Sequence, residues 1–128
     1  MKVVALQYYS KSHNPLPERN VNSIFGNKLI IPIGQQVHFI PFEEFLYAYA
    51  ESNYIHVITK NKKHFLAKTL KWLESQVSDS HFMRIHRTYL INTNEILTID
   101  KSTWTLELSN NAIVPIARNH RSFFQKLT

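Results

Sequence analysis

From Lys28 onward, short apolar runs alternate with polar breaks. "KLIIPI" (28–33) and "QVHFI" (36–40) are rich in β-branched and aromatic residues and are separated by Gly34-Gln35, which predicts two strands joined by a turn. "IPFEEFLYAYA" (40–50) predicts a turn or short helix at Pro41–Glu44 and then a strand, closed by a tight connection at "ESN" (51–53). "YIHVITK" (54–60) alternates and is β-branched, so it reads as a strand, and "NKK" (61–63) turns it back into "HFLAK" (64–68). The period then changes. In "TLKWLESQV" (69–77), Leu70, Leu73 and Val77 fall on one face of a helix, and Thr69 stands where an N-cap belongs. After residue 92 come the strand "EILTI", the turn "DKS" and the strand "TWTLEL". The turn "SNN" and a last strand "AIVPI" follow. "RNHRSFFQKL" (118–127) predicts a terminal helix that rests Phe123 or Phe124, with Leu127, on a sheet.

Residues 1–27 lack this pattern. "SKSHNPLPERNVNS" is polar, holds two prolines and has no steady period, which predicts a weakly ordered arm or linker ahead of a domain at 28–128. Within the arm, Val3, Val4, Leu6 and Tyr8 offer one further strand. The expected fold is mainly β with two or three short helices. Only two glycines are present, so asparagine is expected to serve many of the turns, Asn53 among them, because it tolerates the left-handed region.

Composition narrows the function. At 128 residues the chain suits one domain and is not expected to build two independent cores. It has no cysteine, which excludes a disulfide framework, thiolate chemistry and zinc–sulfur sites. No apolar stretch is long enough to span a bilayer, and the start lacks a secretory core and cleavage pattern, so the expected location is the cytoplasm, without membrane insertion. The net charge of +6 points to an anionic partner. The charge is concentrated: between residues 60 and 87, seven cations (Lys60, Lys62, Lys63, Lys68, Lys71, Arg84 and Arg87) face only Glu74 and Asp79.

Catalytic constellations do not appear. The sequence has no Gly-rich phosphate loop, no HExxH and no nucleophile elbow. Glu43 and Glu44 are adjacent, which on a helix would aim them roughly 100° apart. Among the seven histidines, His81 and His86 have the wrong spacing for one helical face, while His56 and His64 could meet across a hairpin. With no cysteine and no evident acidic third ligand, neither a metal nor any other cofactor is expected, and the chain does not read as an enzyme.

"HFMRIHRTYLIN" (81–92) sets two arginines among aromatic and aliphatic residues. A surface that reads DNA needs both: cations for phosphates, arginine or asparagine for base edges, and apolar footing that holds them still. Ile85, Tyr89, Leu90 and Ile91 would anchor the segment while Arg84 and Arg87 project.

"FMRIHRTYLIN", taken with "IPFEEFLYAYAESNYIHVIT", "FLAKTLKWLESQV" and "VPIARNHRSFFQKL", resembles the LytTR DNA-binding domain of bacterial transcription regulators, from about Lys28 to Leu127 and with the blocks in the family's order. The resemblance implies small antiparallel sheets packed side by side. It implies that loops, not a recognition helix, enter successive major grooves of a bent duplex at paired direct repeats in promoters. Carried over by position, it directs to DNA the turn at Ser52–Asn53, Arg87 after "RIH", and Arg118 at the start of the terminal helix. The expected base contacts are Arg87, Arg118 and Asn53; the expected phosphate contacts are Lys68, Arg84, Ser52 and Lys62.

Plainer roles stand beside these. Arg87 could pair with Glu95 or Asp100, and Asn53 could only hold a turn. His86 suits a packed structural role better than base reading, Lys62 and Lys63 suit solvent, and Trp72 and Trp104 suit the core. A cation at a helix N-terminus opposes the macrodipole, so Arg118 favours a functional reason. The competing function is a module for RNA or an anionic surface, using Tyr47, Tyr49, Tyr54 and His56, or a protein-interaction domain. The chain is too short for a receiver domain. It is therefore expected either to stand alone, with a regulatory protein partner and dimerisation on DNA as open options, or to be an output domain excised from a longer regulator.

Overall fold

The computed structural model describes residues 26–77 and 81–127. Apart from Gly26 and Asn27, the expected arm, with its extra strand, lies outside the described residues. Among the described residues every strand pairing is antiparallel. Lys28–Ile33 (β1) and Gln36–Pro41 (β2) form a hairpin. The central sheet has five strands, Phe45–Glu51 (β3), Tyr54–Thr59 (β4), Lys63–Leu66 (β5), Phe82–His86 (β6) and Tyr89–Asn92 (β7), in the order β5-β4-β3-β7-β6. Ile96–Asp100 (β8), Thr105–Leu108 (β9) and Ile113–Pro115 (β10) make a third sheet, ordered β10-β9-β8. The described residues also form two α-helices, Leu70–Gln76 (α1) and Arg118–Gln125 (α2), and 3-10 turns at Phe42–Glu44 and Thr93–Glu95. This is the mainly β fold that the sequence pattern predicts, in the small antiparallel sheets that the family resemblance implies.

Alternation along the central strands sends side chains to two faces, and each face meets its own partner. On one face Phe45, Ala48, Ile55, Val57 and Leu90 pack with Leu29, Ile31 and Ile40 of the hairpin and with Leu70 and Leu73 of α1. Thr69 caps α1 as expected, its hydroxyl accepting from the Trp72 amide at 3.0 Å. On the other face Ile85 and Ile91 pack with Leu106, Leu108, Val114, Ile116 and Phe124. The central sheet is therefore a wall between two small cores rather than the cover of one.

A buried amide ties the first core to its rim. Asn92 is only 2% exposed, and its Nδ2 donates to the carbonyls of Phe45 at 2.9 Å and Phe42 at 3.3 Å, while its Oδ1 accepts from the Asn94 amide at 3.0 Å. Burial without loss is possible because both ends of the amide are bonded.

Several local expectations change. The positive φ of the β3–β4 turn is carried by Ser52 (φ 56°), not Asn53, and among the described residues asparagine adopts positive φ only at Asn111. Trp104 (φ 53°) is not a strand residue. The Asp100 carboxylate accepts from the Ser102 hydroxyl at 2.5 Å, the Ser102 amide at 2.8 Å and the Thr103 amide at 3.4 Å, which prolongs the turn, so β9 begins at Thr105. Those bonds, the Ser102 hydroxyl first, hold the carboxyl of Asp100 below its usual range. On α2 only Phe124 reaches the core. Phe123 and Leu127 are exposed, because the helix lays one narrow stripe on the sheet and ends before Leu127 could join it.

Candidate nucleic-acid interface

Strand order and direction bring distant residues to one end of the central sheet. β3 leaves into the Ser52–Asn53 turn, and β6 leaves into the Arg87–Thr88 turn. Tyr49 pairs with Tyr89, and the Ala50 amide donates to the Thr88 carbonyl at 3.0 Å, so the two turns share an end. Their centres are two strand spacings apart, roughly 10 Å. Leu66 pairs with Ile55, which sends the β5–α1 connection, with Lys68, off at that end as well. The junction before α2 joins through the Ala117 amide, which donates to the Ile85 carbonyl at 3.0 Å.

Arg87 and Arg118 are both exposed, and both line one open cleft of about 1020 Å³ between β6, the 101–104 turn and the start of α2. Arg84, His86 and Glu74 also line it. Neither Arg87 nor Arg118 has an ion pair with a described residue. The carboxylates expected to compete for Arg87 are engaged elsewhere, Glu95 by the Ser109 hydroxyl at 2.5 Å and Asp100 by Ser102. The N-cap of α2 is Ala117, which offers no side-chain cap, and the first turn of the helix holds no acid. The partial positive charge of its free amides therefore adds to Arg118 and Arg121, a combination that repels itself and attracts an anion.

The other expected contacts divide. Ser52 and Asn53 are exposed at the tip of their turn. Lys68 is exposed beside the capped start of α1, its ammonium 5.1 Å from the centre of the Trp72 ring. Lys62 is not brought together with them. It lies in the β4–β5 turn, where its amide donates to the Thr59 hydroxyl at 3.0 Å, and the antiparallel pairing puts that turn at the opposite end of the sheet. Arg84 is at the cleft but is engaged within the protein, its Nη2 donating to the Arg87 carbonyl at 2.5 Å and its Nη1 to Glu74 Oε1 at 3.3 Å.

His86 and His56 brace turns from within the sheet. His86 Nδ1 lies 3.2 Å from the Thr88 amide and 3.0 Å from the Thr88 hydroxyl, which stiffens the turn that carries Arg87. His56 is 8% exposed; its ring stacks on Tyr49 with centres 4.5 Å apart, and its Nε2 lies 2.7 Å from Glu51 Oε1. His56 and His64 do not meet. His56 pairs with Phe65 and His64 with Val57, so the two side chains point to opposite faces, and the neighbour of His64 is His38, at 5.8 Å between ring centres. Among the described residues no three metal-ligating side chains gather, and no helix is long and apolar enough to cross a membrane.

Two cleft residues escaped the sequence reading. Arg121 lies over the Trp104 ring at 5.5 Å, which ties α2 to the 101–104 turn. Its spacing of three from Arg118 was the available signal, since residues so spaced share a helix face. Glu74 gave no signal, because its partner Arg84 follows ten residues later across a connection.

Comparison with known proteins bears on this arrangement. The model of the LytTr DNA-binding domain matches residues 35–128. Sensory transduction protein LytT of Bacillus subtilis is 28% identical over 126 residues, covering 95% of this chain and 52% of that protein. Transcriptional regulatory protein LytR of Staphylococcus aureus is 22% identical over 109 residues, covering 83% and 44% respectively. The chain thus spans about half the length of these curated relatives. Among solved structures, the LytTr DNA-binding domain of a protein named as a methyl-accepting/DNA response regulator from Bacillus cereus aligns with a TM-score of 0.65 at 24% identity. That alignment covers 79% of this chain and 95% of that one, and it shows a shared fold.

Proposed function

The chain belongs to the family of LytTr DNA-binding domains, and from that membership we propose that it binds double-stranded DNA sequence-specifically and so regulates transcription. One observation supports the reading: Arg87 in the β6–β7 turn and Arg118 at the start of α2, thirty-one residues apart, line one cleft, with the N-cap of α2 bonded to β6 through Ala117 and Ile85. In this reading the two guanidinium groups take base edges in the major groove, where a fork of donors matches the acceptors of guanine. Asn53 reaches a neighbouring base from the adjacent turn, and Lys68 and Ser52 hold phosphates and set the register. The turns project from strands packed on both faces, so little order has to be gained on binding.

The favoured target is a pair of direct repeats on one strand, about one helical turn apart, each engaging one copy of the domain. Selection of bound sites from random duplex DNA tests this. Two similar half-sites at that spacing support it; a pool without a shared motif contradicts it. Affinity is expected to fall linearly on a log–log scale with salt.

The single-stranded alternative has one observation in its favour. Tyr54 and Phe65 are exposed and stacked at 4.6 Å, and Lys63 on the same face lies 5.8 Å from the Tyr49 ring centre. Competition between duplex DNA and single-stranded RNA at matched salt separates the two readings, and preference for the duplex is expected.

A further inference from the structure

The sequence suggests a phosphate contact at Arg84, and the geometry points elsewhere. A phosphate is best gripped by the open fork of a guanidinium. In Arg84 that fork is occupied, one nitrogen by the Arg87 carbonyl and the other by Glu74 of α1. The remaining Nε is buried, with no hydrogen-bond partner among the described residues, so it faces inward and not toward a ligand. The side chain as a whole is 30% exposed.

The bond to Arg87 has a definite consequence. The Arg87 carbonyl belongs to the peptide that leads into Thr88, so gripping it fixes the orientation of that peptide and with it the direction in which the Arg87 side chain leaves the turn. The far side of the same turn is already held, by His86 at the Thr88 amide and by Ala50 at the Thr88 carbonyl. Arg84 closes the near side. Glu74 in turn keeps Arg84 from swinging outward, and it does so from α1, the helix whose capped start carries Lys68.

We propose that Arg84 is a positioning residue for DNA reading: clamped by Glu74, it holds the Arg87 carbonyl and so aims the Arg87 guanidinium at a base edge. This rests on the DNA-binding reading above. Glu74 is then the acid that a cationic cleft retains to keep one of its arginines off the phosphates.

The test measures affinity for a selected duplex and for a scrambled duplex across a salt series, for the wild type, Arg84→Lys, Arg84→Ala and Glu74→Gln. Lysine keeps the charge but cannot bond both partners in one plane. A positioning role predicts that Arg84→Lys lowers the ratio of selected to scrambled affinity by about tenfold, the loss of one misaimed base contact. Its salt slope stays at the wild-type value. Arg84→Ala lowers the ratio at least as far, and Glu74→Gln lowers it several-fold with the slope unchanged. A phosphate role predicts the reverse, and any part of it overturns the proposal. In that case Arg84→Lys restores the wild-type ratio, and Arg84→Ala weakens both duplexes equally with a slope shallower by about 0.9. Glu74→Gln would then tighten both duplexes by freeing the cation. Should Arg84→Ala fail to fold, the other two variants still decide. A wild type that does not distinguish the duplexes refutes the sequence-specific reading itself, which is a different result from a discriminating wild type with indifferent Arg84 variants.

Discussion

His56 lies flat against Tyr49, the two rings 4.5 Å apart and 12° from parallel, while its Nε2 meets Glu51 at 2.7 Å. The pair stands at the root of the turn that presents Ser52 and Asn53. Its two interactions differ in worth. The ring is buried between Tyr49 and Phe65, whereas the Glu51 side chain is 69% exposed, so water competes for its hydrogen bond to His56. His56→Ala is expected to lower unfolding stability by about 1–3 kcal/mol in urea titration, and Glu51→Gln by at most about 1 kcal/mol. Equal losses would mean that the hydrogen bond, not the stacking, holds the turn.

Lys68 and Lys62 provide a spatial comparison, because the antiparallel pairing of β4 and β5 sends them to opposite ends of the sheet. Lys68→Ala should weaken binding to all duplexes alike and make the salt slope shallower by about 0.9. Lys62→Ala should change neither quantity. A response at Lys62 as large as that at Lys68 would move the phosphate path to the other end of the molecule.

His64 links stability to pH. Burial, then His38 and then Lys62, lowers its pKa below the ordinary 6.5. The folded state therefore prefers the neutral ring, and in the window just below 6.5 the unfolded chain binds the extra proton. Stability is present in full above that value and falls with acidification toward the lower folded pKa. Chemical denaturation at a series of pH values should show this decline, and His64→Leu should flatten it. An unchanged decline in the variant would assign the effect to another group.

Phe123 and Phe124 show where sequence reading stopped. Periodicity placed a helix over 118–127 and required one apolar face, but adjacent phenylalanines offer two faces and the pattern does not choose between them. Packing chose Phe124, which is 3% exposed, and left Phe123 at 54%. Phe124→Ala should therefore lower stability by about 3–5 kcal/mol and Phe123→Ala by less than about 0.5 kcal/mol. Thermal unfolding of the two variants checks the difference in size.

The same division runs through the rest of the molecule. The hairpin at 28–41, the strands at 54–66 and the capped helix at Thr69 were legible because their signals are local: alternation, turn residues, one cap. What stayed hidden was settled by the fold. The left-handed residue of the β3–β4 turn is Ser52 rather than Asn53 because the turn, not residue preference, set the backbone there. Trp104 left its predicted strand because the carboxylate of Asp100 drew the next two residues into a longer turn. For the site, residue type and position identified Arg87, Arg118 and Lys68 as candidates. Only strand order could place Lys62 at the far end, and only three-dimensional proximity could show Arg84 held between Glu74 and the Arg87 carbonyl.

The most direct test of the interface is the affinity of Arg87→Ala and Arg118→Ala for a selected duplex and for variants of it substituted one base pair at a time. Each protein is expected to lose about 1–3 kcal/mol on the selected site and to become indifferent to one base position, a different one for each arginine within the same half-site. Full affinity and undiminished discrimination in both variants would contradict the account.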